Sequence, residues 1–204
     1  MESAQTWLLI GLTVAVSWLA FEKPRWMDRL VLWPPAIGRK HEYDRLVTHG
    51  FVHADWMHLF FNMFTLFFFG PLAEAFYAQA IGPLGYPLFY LSAIVVAALP
   101  SYLRHRDDAR YRSLGASGAV SAVLFTFVLL NPWSLIIVFV FPCPAILYGV
   151  LFLGYSWWAD RQGHGNINHN AHFVGAVYGI AFAVLAEPRL PAVFLSRLLS
   201  PSFG

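Results

Sequence analysis

Apolar residues gather into six long blocks, and a membrane-crossing helix needs about 20 of them in sequence. The blocks run roughly from Thr6 to Phe21, Trp56 to Tyr77, Leu84 to Leu103, Leu114 to Leu130, Pro144 to Trp158 and Ala171 to Ala186. Of the 204 residues, 58% are hydrophobic and 12% charged, whereas a soluble domain is about one quarter charged. A soluble fold of this size could not hide so much apolar surface, so lipid is the expected solvent. Eight Trp and nine Tyr suit the two membrane interfaces. The expected fold is all-α and integral to the membrane: a compact bundle of six transmembrane helices, with residues 1–204 forming a single domain. The first block lacks a basic flank and a clean small-residue cleavage site. It therefore reads as a retained helix, not a signal peptide. No soluble accessory domain is expected at either end.

The polar stretches exclude several functions. The formal net charge of +2 sits in loops, with no basic patch that would suit nucleic acid. Cys143 is the only cysteine, which rules out an intrachain disulfide. With no Cys-rich knuckle and no HExxH, neither a metal nor any other cofactor is expected. Residues 22–48 form a long first loop with Pro24, Pro34 and Pro35. Residues 104–113 are Arg-rich, and residues 160–169 are too polar for hydrocarbon. Asn131 to Cys143, broken by Pro132 and Pro142, reads as an irregular or interfacial connection. The tail from Glu187 reads as a flank.

Polar groups within membrane segments are costly, so each asks for a reason. Three clusters hold them. The first runs from Thr48 to Asn62, with His49, His53, His58 and Asn62. The second is Gly115-Ala116-Ser117-Gly118-Ala119-Val120-Ser121-Ala122. The third runs from Asn168 to Gly179, with His169, His172, Gly175 and Gly179. They open the second, fourth and sixth blocks. Successive spanning helices alternate in direction, so all three clusters start at one membrane face and can meet at shallow depth. His58 and Asn62 share a helix face, as do Ser117 and Ser121. His172, Gly175 and Gly179 form a stripe that can dock against Gly118 and Ala122, since small residues let membrane helices approach closely. That docking would bring the imidazole within hydrogen-bond reach of Ser117. His169 also flanks the third cluster, but His172 lies deeper and shares the face of Gly175. His41, His105 and His164 read as loop residues, and Phe64 to Phe69 as lipid-facing and packing surface.

The clusters resemble the rhomboid proteases. His49, His53, His58 and Asn62 match an HxxxHxxxxHxxxN arrangement opening helix two. Gly115, Ser117 and Gly118 match GxSG opening helix four, and Ala171, His172, Gly175 and Gly179 match AHxxGxxxG on helix six. The resemblance implies an intramembrane serine endopeptidase with a Ser117–His172 dyad and no Asp. It also implies an oxyanion site made by the Ser117 N–H with Asn62 and His58, and structural support from Gly115, Gly118, Gly175 and Gly179. The implied partners are the lipid bilayer and transmembrane protein substrates, unwound locally to expose a peptide bond. The implied location is a multi-pass position in a bacterial inner membrane. Oligomeric state is not legible. Two positions depart from the family pattern. Asp44-Arg45 stands where a Trp-Arg pair is common, and Ser121 stands where many members place an aromatic against the catalytic His.

Rival readings are a catalytically inactive rhomboid-like protein that binds membrane clients, a metalloprotein using His49, His53 and His58, and a polytopic transporter. The retained Ser117 and His172 oppose the first. The scarcity of carboxylates within helices opposes the second, and the absence of an inverted repeat opposes the third. Orientation divides the signals. Six Lys and Arg in the first loop, four before the fourth block and Arg161 fall on the Ser/His face, against Arg189 and Arg197 opposite. The positive-inside rule would put that face in the cytoplasm, whereas the resemblance implies a site open to the exterior or periplasm.

Overall fold

The computed structural model describes residues 3–138, 140–162 and 168–201. His164 and most of the polar stretch before the sixth block lie outside the described residues. All six apolar blocks are helical: α1 (Ala4–Glu22), α5 (Trp56–Ile81), α6 (Gly85–Arg104), α7 (Ser117–Leu130), α8 (Ala145–Gln162) and α9 (His169–Ala186). Four of these, α1, α5, α6 and α9, are long and apolar enough to cross a membrane. The other two differ from the six-helix expectation. α7 has only 14 residues, and α8 ends in the polar turn Asp160-Arg161-Gln162.

Three connections depart from the sequence reading. The first loop is not bare coil but holds α2 (Pro24–Leu30), α3 (Pro34–Lys40) and α4 (Arg45–Thr48). Pro24 and Pro34 sit at the first helical position, where a missing N–H costs nothing. The stretch read as irregular forms an antiparallel hairpin of β1 (Leu135–Val138) and β2 (Phe141–Pro144). β-branched residues in β1 favour that conformation, and a two-stranded unit needs no helix-compatible residue at Pro142. The C-terminal flank contains α10 (Leu190–Leu199), which packs across the end of α7. Its Arg197 donates to the Leu130 carbonyl, and Trp133 Nε1 donates to Leu198 O at 3.1 Å. The first bond uses a carbonyl at the end of α7 and the second a carbonyl at the end of α10, where helices leave acceptors without an intrahelical donor.

Polar side chains organise the apolar bundle. Arg45, only 5% exposed, donates to Glu42 Oε2 at 2.6 Å and to the carbonyls of Asp28 and Val31 at 2.8 Å. It thereby stitches the first loop, and it holds the Glu42 carboxyl below the usual range. Glu74 of α5 is buried against the start of α1. It accepts from the Gln5 and Thr6 backbone N–H groups at 3.1 and 2.8 Å and from Thr6 Oγ1 at 2.7 Å. A carboxylate from another helix thus caps α1, whose own Ser3 makes no side-chain cap. α7 is packed by α5, α6, α8 and α9, and ten of its 14 residues are buried. Tyr77, Tyr86, Phe89 and Tyr90 fill the core beneath it. Phe64, Phe67 and Phe68 point outward, and Phe69 packs edge-on against Phe127.

Candidate active site

Gly115 ends the loop leading to α7 with φ +112, a backbone state open at low cost to glycine alone. A Cβ there would also stand 2.6 Å from the His58 ring. The loop is held from two sides. Gly115 N donates to His49 O at 2.9 Å, and Ala116 N donates to His53 Nε2 at 3.3 Å. His53 Nδ1 therefore carries the proton and donates to Ser17 Oγ of α1 at 3.0 Å. Ser17 in turn donates to Phe51 O at 3.0 Å. Burial pushes His53 down to about 3 and His49 down to about 4, so both stay neutral while they bond. Both lie ahead of α5, which starts at Trp56. His49 begins a short 3-10 turn and His53 precedes α5.

Ser117 is the first residue of α7. Its N–H is among the helix-start donors that have no intrahelical acceptor, and the helix dipole adds positive potential there. Close packing brings α9 alongside. Cβ atoms on Gly175 and Gly179 would overlap the backbone of Gly118 and Ala122 respectively, and one on Gly118 would meet Ala97 Cβ at 2.5 Å. At that separation His172 Nε2 lies 2.8 Å from Ser117 Oγ. With Nε2 as acceptor, Nδ1 is the protonated nitrogen. Among the described residues no carboxylate bonds to the His172 ring.

Asn62 is buried and lines a cavity of about 220 Å³ together with Ser117, Ser121, Phe152 and His172. Its Nδ2 donates to His58 O at 2.9 Å, which among the described residues leaves one N–H to spare. His58 is half-buried and does not line that cavity. Its Nδ1 accepts from Ala54 N at 3.4 Å, so Nε2 bears the hydrogen beside Gly115. His169 stands edge-on to His172 at 5.9 Å between ring centres and makes no bond to Ser117.

The chain matches the family model for the rhomboid domain over residues 40–189. It belongs to the rhomboid family. It is 33% identical over 202 residues to "RHOMBOID-like protein 12, mitochondrial" of Arabidopsis thaliana, covering 89% of this chain and 59% of that protein. It is 32% identical to "Rhomboid-like protein 11, chloroplastic" of the same plant, over 69% of this chain and 51% of that one. It is 29% identical to "Rhomboid protein 1, mitochondrial" of Saccharomyces cerevisiae, over 67% and 40%. The chain thus spans about half the length of these curated relatives. As a rhomboid with several apolar spanning helices it is an integral multi-pass membrane protein. These three relatives are named for mitochondria or chloroplasts, so they give no support to the bacterial inner membrane expected from the sequence.

Sequence reasoning missed three site contributors. Asn168 caps α9 by accepting from Ala171 N at 3.1 Å. Its Nδ2 reaches Ser101, Tyr111 and Ser113 at 2.9 to 3.2 Å. An Asn just ahead of a helix is a legible cap signal. The bond from His53 to the Ser117 loop, and the ring of Phe152 beside His172, have no counterpart in local sequence.

Proposed function

We propose that this rhomboid is an intramembrane serine endopeptidase that cuts peptide bonds in or near transmembrane segments of other membrane proteins. One observation carries the reading: Ser117 Oγ lies 2.8 Å from His172 Nε2 on two closely packed helices. His172 takes the Ser117 proton as Oγ bonds to the peptide carbonyl carbon and the carbonyl electron pair moves onto oxygen. The Ser117 N–H, the spare Asn62 N–H and His58 Nε2–H are the donors for that oxyanion. The imidazolium then returns its proton to the leaving amine. Water, deprotonated by His172, hydrolyses the acyl-enzyme and regenerates Ser117.

The same proposal takes residues 1–204 as one membrane domain and counts α7 and α8 with the four longer helices, making six crossings. A 14-residue helix is about 21 Å long, short of the ~30 Å hydrocarbon core. Starting such a helix at Ser117 recesses the nucleophile below the surface, within reach of a substrate helix. The bacterial inner membrane is carried forward as a proposal alone. The test is reconstitution in lipid with a panel of single-pass membrane proteins. Wild type should cut at least one and Ser117→Ala none. Equal cutting by Ser117→Ala overturns the mechanism, and binding without cutting by wild type would make the chain a non-proteolytic client-binding protein.

A further inference from the structure

Among the described residues the His172 ring has one hydrogen-bond partner, and that partner is the nucleophile it serves. Once Ser117 has given up its proton and bonded to substrate, Nε2–H must turn from Oγ to the leaving amine, so that bond no longer fixes the ring. Rotation about the last side-chain torsion of His is soft and roughly two-fold, so something else must keep Nε2 aimed. Position 121, one turn along α7, cannot do it, because it is a serine.

The flat surface comes from a different helix. The Phe152 ring of α8 lies 6.1 Å from the His172 ring, with only 27° between their planes. One turn along, Tyr155 meets His169 edge-on at 5.3 Å and 89°. Phe152 and Tyr155 are three apart, as are His169 and His172, so α8 and α9 join by two aromatic–imidazole rungs. Phe152 is itself braced, by Phe125 of α7 at 5.8 Å and by Tyr148 at 5.7 Å.

We infer that Phe152 is a positioning residue for His172, supplied from α8 and holding the imidazole plane while the proton is on it. The inference rests on the protease reading above. It makes the aim of the base depend on where α8 stands, so any displacement of α8 against α9 changes proton transfer as well as access.

Ser121, Phe152 and His172 line the same cavity. An aromatic introduced at position 121 can therefore enter the space that Phe152→Ala vacates and face the same imidazole. This permits a rescue experiment on the full chain in lipid, with a cleaved substrate. Phe152→Ala should lower kcat roughly 10-fold, the scale of one lost aromatic contact, with KM changed less than about two-fold. Phe152→Tyr, which keeps the ring, should retain the wild-type kcat. The double variant Phe152→Ala/Ser121→Phe should recover most of the loss. A kcat for Phe152→Ala at or above wild type overturns the inference. So does a Phe152→Tyr enzyme as slow as Phe152→Ala, or a loss carried by KM with no rescue from position 121. The underlying reading fails separately: wild-type protein that neither cuts substrate nor reacts at Ser117 with a fluorophosphonate ends the protease assignment itself.

Discussion

Asn62 has one N–H committed to His58 O and one to spare beside Ser117 and His172. A donor aimed at developing charge acts in the transition state more than in substrate binding. Asn62→Ala should therefore lower kcat by about 10²- to 10³-fold with little change in KM. Steady-state kinetics on a cleaved substrate would check this, and a raised KM at constant kcat would assign Asn62 to ground-state binding. His53 gives a prediction about pH. Its proton affinity in the native state is pushed down to about 3 from the ordinary 6.5, by burial first and then by His58. Between those values the unfolded chain binds a proton that the native chain does not. Stability is thus fully present above about pH 6.5 and falls as pH drops toward 3. His49, pushed down to about 4 by burial, adds to the same slope. Melting temperature in detergent should fall between pH 7 and 4.5, and His53→Gln should fall less over that interval. An equal drop in the variant would show that His53 does not contribute to the acid slope.

The contact of α7 with α9 decides the site at the scale of elements. Two glycines of α9 rest on backbone of α7, Gly175 on Gly118 and Gly179 on Ala122. No side chain fits between them, so the Ser117–His172 distance is set by how closely two main chains approach. Gly175→Val must push the helices apart, a strain of about 1–3 kcal/mol. The expected outcome is a lower melting temperature and at least a 10²-fold loss of cleavage, since misplacing a catalytic group by about 1 Å costs that much. Wild-type melting and activity together would refute the close-approach argument. The loop ahead of α7 is fastened with similar economy, through the Gly115 bond to His49 and the Ala116 bond to His53. A change at Ser17, on α1, can therefore be felt at Ser117 through His53.

Orientation belongs to the whole molecule. The first loop and the 104–113 loop meet at one end, where Leu32 pairs with Ser113 and Arg112 stacks on Trp33 at 4.3 Å. The eleven cations assigned to the Ser/His face from sequence include Arg29, Arg45 and Arg104, which pair with Asp44, Glu42 and Asp160. Acidic partners count for little in the positive-inside rule, so the charge signal still opposes the family likeness; the outward-facing site implied by the family is the orientation we propose. The check uses a Cys143→Ser background carrying one new cysteine, at the exposed Tyr43 or at Ser200. An impermeant thiol reagent applied to intact cells should label position 43 and not position 200. The reverse pattern would show that the charges, not the family likeness, set the topology.

Composition and periodicity are local properties, so the sequence by itself determined that lipid is the solvent and where the six apolar helices lie. It also isolated the three polar clusters, because a polar residue amid apolar ones is conspicuous without any structure. Short helices in a Pro-rich loop, the β1–β2 hairpin and α10 were less legible, since marginal elements take their stability from what they pack against. The contacts that define the site were not legible at all. His172 meets Ser117 across 55 residues, His53 meets Ala116 across 63, and Glu74 meets Thr6 across 68. Phe152 approaches His172 from a helix the sequence offered only as an apolar span. Such pairings depend on helix separation and rotation, which are set jointly by all the packed faces, and only the tertiary structure decided them.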